Sequence, residues 1–268
     1  LMTINSPTFL TQTKSQALKL ATKLSEKYKK RYALTPRFAI ATDPETMKET
    51  AKIAKKNKSF LQTHLSENLD EISFVKSLYQ GMKGFSKVKS YTEIYKKVGM
   101  LSSKTIMGHA IHLDKEELLM LSKSKTSIAH CPTSNAPHSE LGLESGLFNF
   151  KKIEKAKIRW ALASDIGGGP FVSMFDVMRS FVDQNSKARV SGATYVKALH
   201  RSTNAGAEIL NLAKFKGNLD NGKQANFIVV DMPKMSKKKP GAEDILSKLI
   251  EPLKDRRDQY QTLVSSFL

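Results

Sequence analysis

Five short, nearly unbroken apolar runs, each followed by a helical pattern, recur along this chain, and that alternation leaves few architectures open. The runs are Arg37-Phe-Ala-Ile-Ala-Thr42, Phe60 to Leu65, Thr105 to His112, Ser127 to Pro132 and Ile158 to Asp165. Strands apolar on both faces belong to parallel sheets covered by helices. Ala17, Leu18, Ala21, Leu24 and Tyr28 recur at helical spacing, which predicts a helix over about Ser15 to Lys30. Asp43-Pro44-Glu45 supplies an N-cap, a first-turn proline and a first-turn acid for a helix to about Asn57. Leu69, Ile72 and Val75 mark the inner face of the next helix, and Asp114 with Glu117 forms a capping box ahead of Leu118, Leu119 and Leu121. Further helices are expected near Leu147 to Lys155 and Ser173 to Asp183, and one or two over Ala193 to Ala213.

This pattern fits a barrel or a doubly wound sheet. His64, His109 and Asp165 stand at the C-terminal ends of different predicted strands, and Arg37 stands at the start of the first. A (β/α)₈ barrel gathers functional groups from several strand ends at one face, whereas an open sheet uses mainly one crevice, so the barrel is favoured. Gly167-Gly168-Gly169 lacks the spacing of either phosphate-binding fingerprint.

A histidine closing a strand with a carboxylate three residues on, as in His64-Leu-Ser-Glu67, places a metal ligand and a proton shuttle on one side of a substrate. Asp165 ends an apolar strand, where a carboxylate needs a cation or strong donors, and a metal is the simplest partner. Residues three apart on a strand face opposite ways, so only one of His109 and His112 can face inward; His109, after Met107-Gly108, is the better candidate. His130 and Cys131 are read as structural, Asn135 as shaping the mouth of the site, and His138 and His200 as surface or helix residues.

Composition narrows the class. The chain has 268 residues, 40% of them apolar, without an apolar run of about 18 residues or a basic-then-apolar leader. That predicts a cytoplasmic protein with no membrane partner. One cysteine excludes an internal disulfide and a cysteine metal cage. The net charge of +19 invites a nucleic-acid reading, but the lysines are scattered in twos and threes without interleaved aromatic platforms, so no nucleic-acid partner is expected. The chain opens on Leu1 and stops at Leu268 without an obvious terminator, and a fragment is expected.

Pro36-Arg37-Phe38, Gln62-Thr-His64-Leu-Ser-Glu67-Asn68, Met107-Gly-His109, Ser127 to Asn135 and Ser164-Asp165-Ile-Gly-Gly-Gly169 together resemble the guanine deaminases within the metal-dependent amidohydrolase superfamily. The Pro-Arg-Phe element, with Arg37 27 residues before His64, makes the resemblance specific. It extends to Gly222 through Asp231, which is similar to the superfamily's return into a small β-domain.

The resemblance implies a partial (β/α)₈ TIM barrel, with strands corresponding to the fourth to eighth, over residues 1–213, and a partial C-terminal β-domain segment over 214–268. It implies zinc-dependent hydrolytic deamination of guanine to xanthine and ammonia, with one Zn²⁺ per active site. His64 and Asp165 would be metal ligands. Glu67, His109 and Asp165 would be catalytic: Glu67 moving a proton from water to the ring nitrogen, Asp165 helping to deprotonate the water and protonate the leaving amine, His109 stabilising charge at the attacked carbon's oxygen. Arg37, Phe38, His64 and Glu67 would bind substrate, Arg37 donating to the purine carbonyl and Phe38 packing on the ring. A homodimer is implied for the full-length protein. The superfamily's further ligands come from a His-x-His pair on the first strand, and the six histidines here contain no such pair. The chain alone is therefore expected to bind zinc weakly and to be inactive. The alternatives are a deaminase or chlorohydrolase acting on a related heterocycle, and a non-catalytic basic interaction module.

Overall fold

The computed structural model describes residues 1–137, 142–230, 234–235, 239–251 and 264–266. In chain order the elements are α1 (Lys14–Tyr28), β1 (Ala33–Leu34), α2 (Pro44–Asn57), β2 (Phe60–Leu65), α3 (Leu69–Gln80), α4 (Tyr91–Lys97), β3 (Thr105–His109), α5 (Lys115–Ser124) and β4 (Ser127–His130). There follow α6 (Pro132–Asn135), α7 (Phe150–Lys155), β5 (Trp160–Leu162), α8 (Met174–Lys187), α9 (Tyr195–Ser202), α10 (Asn204–Ile209), β6 (Ile228–Val230), α11 (Ala242–Ile250) and β7 (Val264–Ser266). Two compact units contain them: Leu1–His130 with Phe148–Arg159, and Cys131–Leu147 with Trp160–Leu268.

The first unit is an α/β layer on a parallel sheet. β1 pairs with β2, β2 with β3 and β3 with β4, all parallel, with His64 opposite Gly108 and Leu65 opposite His109. Leu61, Thr63 and Leu65 are buried on one face of β2, and Gln62 and His64 are half-buried on the other, as the strand period of two requires. Ala17, Ala21 and Ser25 form the buried stripe of α1, small enough for close approach to α2, where Asn57 donates to Ser25 at 2.7 Å. Asp43 caps α2 with Pro44 in its first turn, and Asp114 and Glu117 cap α5 reciprocally, both as the sequence predicts.

One expected strand is absent and three are shorter than expected, β4 ending at His130 where Pro132 and the turn of α6 begin. Residues 37–42 are not a strand: the peptide turns, with Ala41 and Thr42 both donating to the Phe38 carbonyl, and the edge strand is Ala33–Leu34 instead. β3 stops at His109 because His109 and Ala110 take left-handed φ of 66° and 54°, which no strand accommodates. The alternation argument for His109 against His112 therefore does not apply, since His112 lies beyond the strand. β5 is confined to Trp160–Leu162. The sequence does not lead one to expect α4, α6 or α11; α4 carries Tyr91, Thr92 and Tyr95, residues with weak helix preference, and its packing decides.

In the second unit Arg201 lies over the Trp160 ring at 4.3 Å and donates to its carbonyl at 3.2 Å, and Trp160 meets Phe181 at 5.6 Å. Glu243 accepts from the first amides of α9, Tyr195 and Val196, at 2.7 and 2.8 Å, where the helix dipole favours a carboxylate. β6 and β7 form a separate antiparallel pair. No helix among the described residues is long and apolar enough to cross a membrane.

Candidate active site

The ends of β2 and β3 carry the first unit's polar cluster. Ser66, His109 and Ala110 all have left-handed backbones, a conformation that costs a non-glycine residue about 1 kcal/mol or more and that concentrates at functional sites. The Leu65 carbonyl accepts from Ala110 at 2.8 Å, and the Ser66 carbonyl accepts from Ile111 and His112, so the two turns are tied together.

His64 is half-buried, and its Nδ1 donates to the Arg37 carbonyl at 2.7 Å. That bond fixes the tautomer and makes Nε2 the lone-pair nitrogen, the arrangement metal-binding imidazoles adopt. The His109 ring, 1% exposed, lies 5.0 Å from the His64 ring, and each offers a ring nitrogen within 4.8 Å of the other. Glu67 Oε1 stands 3.3 Å from His109 Nδ1. Its backbone amide donates to Glu71 Oε2 at 2.8 Å, which anchors the residue from behind. Burial pushes the Glu71 carboxyl above the usual carboxylate range, against the opposing donors from Glu67 and Tyr91.

Phe38 continues the row of rings, 5.7 Å from His64, and the exposed Arg37 guanidinium lies 5.1 Å over the Phe38 ring. The geometry within this unit thus brings together Arg37, Phe38, His64, Glu67 and His109. His130 ends β4 buried, stacked on Phe148 at 4.2 Å; burial, reinforced by His109, lowers its pKa to about 3, so it is neutral, as a structural histidine should be.

Asp165 belongs to the second unit. It is half-buried with φ 52°, and its carbonyl accepts from Gly168 at 2.9 Å and Gly169 at 2.5 Å. A Cβ on Gly168 would stand 2.9 Å from Asp165 Oδ2, and one on Gly169 2.3 Å from the Ser164 carbonyl. The glycine run is therefore a turn that wraps the Asp165 carboxylate closely. Cys131 and Asn135 are both buried, Asn135 donating to Ser145 at 3.4 Å; His200 is exposed on α9, and His138 lies outside the described residues.

Sequence reasoning missed Tyr79, Tyr91 and Tyr95, whose hydroxyls hold the Arg37–Thr42 turn. Each reads as core aromatic, and the one signal was tyrosine where phenylalanine would suffice for packing. It also missed Glu71, whose position three residues after Asn68 is accounted for by helix capping alone.

The chain is similar to guanine deaminases in sequence and in fold. Guanine deaminase of Dictyostelium discoideum is 36% identical over 203 residues, covering 74% of this chain and 43% of that protein. The solved E. coli guanine deaminase superposes with a TM-score of 0.82 at 31% identity, covering 93% of this chain and 58% of that one. The guanine deaminase of C. acetobutylicum, solved with guanine in its active site, gives 0.75 at 30% identity over 86% of this chain and 54% of that one. The chain spans about half the length of the relatives it matches. The amidohydrolase family model matches residues 5–265, and with the strand-end histidines of a parallel α/β sheet already in place, this chain belongs to the amidohydrolase family.

Proposed function

We propose that this chain carries the substrate-recognition elements and half of the metal site of a zinc-dependent guanine deaminase built on a (β/α)₈ barrel. The observation that carries the reading is the single row in which Arg37, Phe38, His64, His109 and Glu67 follow one another in a chain similar to guanine deaminases over most of its length. A barrel part over 1–213 and a small β-domain over 214–268 go with it, supported by the separate β6–β7 pair. A homodimer rests on the resemblance of motifs alone, and a cytoplasmic location on the composition.

The donor chemistry fits zinc. His64 offers an oriented imidazole Nε2, and Asp165 a carboxylate held by its own glycine turn; a histidine and carboxylate set suits this ion. When bound, zinc supplies the Lewis acidity that makes water nucleophilic at neutral pH. Arg37 donates its planar fork to the purine carbonyl, an edge that adenine, with an amino group there, does not offer. Phe38 packs on the ring. Water oxygen adds to C2, Glu67 takes a proton from that water and delivers it to the ring nitrogen, and His109 stabilises the charge that develops on the oxygen at C2. Asp165 assists the deprotonation and passes a proton to the amine; the C2–N bond breaks, and ammonia and xanthine leave.

Two ligands fall short of the three or four a zinc site takes. The protein expressed from its full coding sequence is expected to convert guanine, and not adenine, to the oxo product with ammonia release. The 268-residue chain alone is expected to show neither turnover nor tight zinc binding. Chromatographic assay of both purines on both proteins is the test, and adenine turnover exceeding guanine turnover would overturn the assignment.

A further inference from the structure

The turn from Phe38 to Thr42 has no partner strand, so its backbone groups find other partners. The amides of Thr3 and Ile4 donate to the Ala41 carbonyl, and side-chain hydroxyls take that role at Ala39 and Thr42. Tyr79 Oη donates toward the carbonyls of Ala39 at 3.0 Å and Thr42 at 3.3 Å, while the Ala39 amide donates to Tyr95 Oη at 3.2 Å and Tyr91 Oη at 3.3 Å. All three rings are fully buried, with Tyr91 and Tyr95 stacked at 5.3 Å. A buried phenol is costly unless bonded, so these hydroxyls are held for the bonds they make.

Tyr95 differs from the other two in what it joins. Its hydroxyl donates to the His64 carbonyl at 2.7 Å, accepts from the Ala39 amide at 3.2 Å, and lies 3.0 Å from Thr63 Oγ1. The Arg37 carbonyl closes the ring, accepting from His64 N at 3.1 Å, His64 Nδ1 at 2.7 Å and Thr63 Oγ1 at 3.3 Å. One buried hydroxyl thus clamps the backbone of a metal-site histidine to the loop that bears the substrate-facing Arg37 and Phe38.

We propose that Tyr95 is a positioning residue whose hydroxyl sets the His64 imidazole and the Arg37–Phe38 loop together, so that metal affinity and purine recognition depend on the same group. The proposal rests on the deaminase reading for its substrate half only. Tyr79, bonded to the loop and not to His64, supplies the contrast.

The test uses the protein expressed from its full coding sequence, with zinc affinity read by chelator competition and KM and kcat for guanine read separately. Tyr95→Phe keeps the ring and removes the clamp; zinc Kd and KM are both expected to rise about tenfold, the lower range seen when a group supporting a metal ligand is lost. Tyr79→Phe is expected to raise KM with zinc Kd unchanged. Wild-type zinc Kd and KM in Tyr95→Phe, with only a lower melting temperature, would make the residue structural and overturn the proposal. If Tyr95→Phe fails to fold, Thr63→Val removes the neighbouring hydroxyl within the strand. It is expected to shift both constants upward, and unchanged constants there overturn the proposal equally. Should the wild type not turn over guanine, the deaminase reading fails by itself, and the zinc competition still decides Tyr95.

Discussion

Glu67 is held at both ends, its amide by Glu71 at 2.8 Å and its carboxylate 3.3 Å from His109 Nδ1, so in the proposed role it would act with little freedom left to lose. Glutamine in its place keeps an acceptor for His109 but cannot carry a proton. Glu67→Gln in the full-length protein is therefore expected to lower kcat by about 10²- to 10⁴-fold, the usual worth of a positioned acid–base group, with KM and zinc content near wild type. Steady-state kinetics with metal analysis check this, and turnover within a few-fold of wild type would remove Glu67 from proton transfer. Glu67 and His64 were legible because their chemistry is written in residue type and in a three-residue spacing at a strand end. The clamp behind them was not. A tyrosine in a helix looks like core, and only the turn brought against it in three dimensions gives its hydroxyl a task.

Capping made α2 and α5 legible, at Asp43-Pro44 and Asp114-x-x-Glu117, whereas the Ser90-x-x-Glu93 cap of α4 went unread. The strand ends were not legible, because the left-handed residues that close β2 and β3 are set by tertiary hydrogen bonds and carry no glycine to announce them. Residues 37–42 alternate like a strand, yet Ala39 and the Thr42 carbonyl bond to tyrosine hydroxyls and the Ala41 carbonyl to the amides of Thr3 and Ile4, a solution invisible to periodicity. The Gly167-Gly168-Gly169 turn was read only as a phosphate loop that fails its spacing, and its packing gives it a different purpose. A methyl on Gly168 meets the far end of the Asp165 side chain at 2.9 Å, whereas one on Gly169 meets the Ser164 backbone at 2.3 Å. Gly168→Ala is thus expected to push the carboxylate aside, raising zinc Kd about 10- to 100-fold while the metal-free melting temperature holds. Gly169→Ala is expected to lower the metal-free melting temperature as well. Chelator competition and calorimetry on the two variants check the contrast, and equal zinc affinity in wild type and Gly168→Ala would separate the turn from the metal site.

At the scale of the whole chain, 44 basic against 25 acidic residues give +19, and the excess is more gathered than the sequence suggests. Lys27, Lys29, Lys30, Arg31, Lys58 and Lys104 line a cavity of about 470 Å³ on the side where β2 and β3 begin, away from the His64 end. Acidification adds to this charge and to the self-repulsion that opposes compactness. Glu117 works in the opposite sense. It is 5% exposed and accepts from the amides of Thr92 and Asp114 at 3.1 and 3.2 Å; burial nevertheless outweighs those donors and raises its pKa from the ordinary 4.5. Between that value and the raised one, the folded chain keeps a proton the unfolded chain has released, so unfolding free energy falls as pH rises. The stabilisation is complete below the unfolded value and is lost as pH passes the folded one. Glutamine cannot titrate, and it preserves one acceptor for the two amides. The melting temperature of wild type minus that of Glu117→Gln is therefore expected to decrease as pH rises from the ordinary 4.5 towards neutrality, the general charge repulsion cancelling in the difference. Calorimetry across that range decides it: a difference that is flat, or that grows with pH, would mean the two amides hold the carboxylate more strongly than burial penalises it.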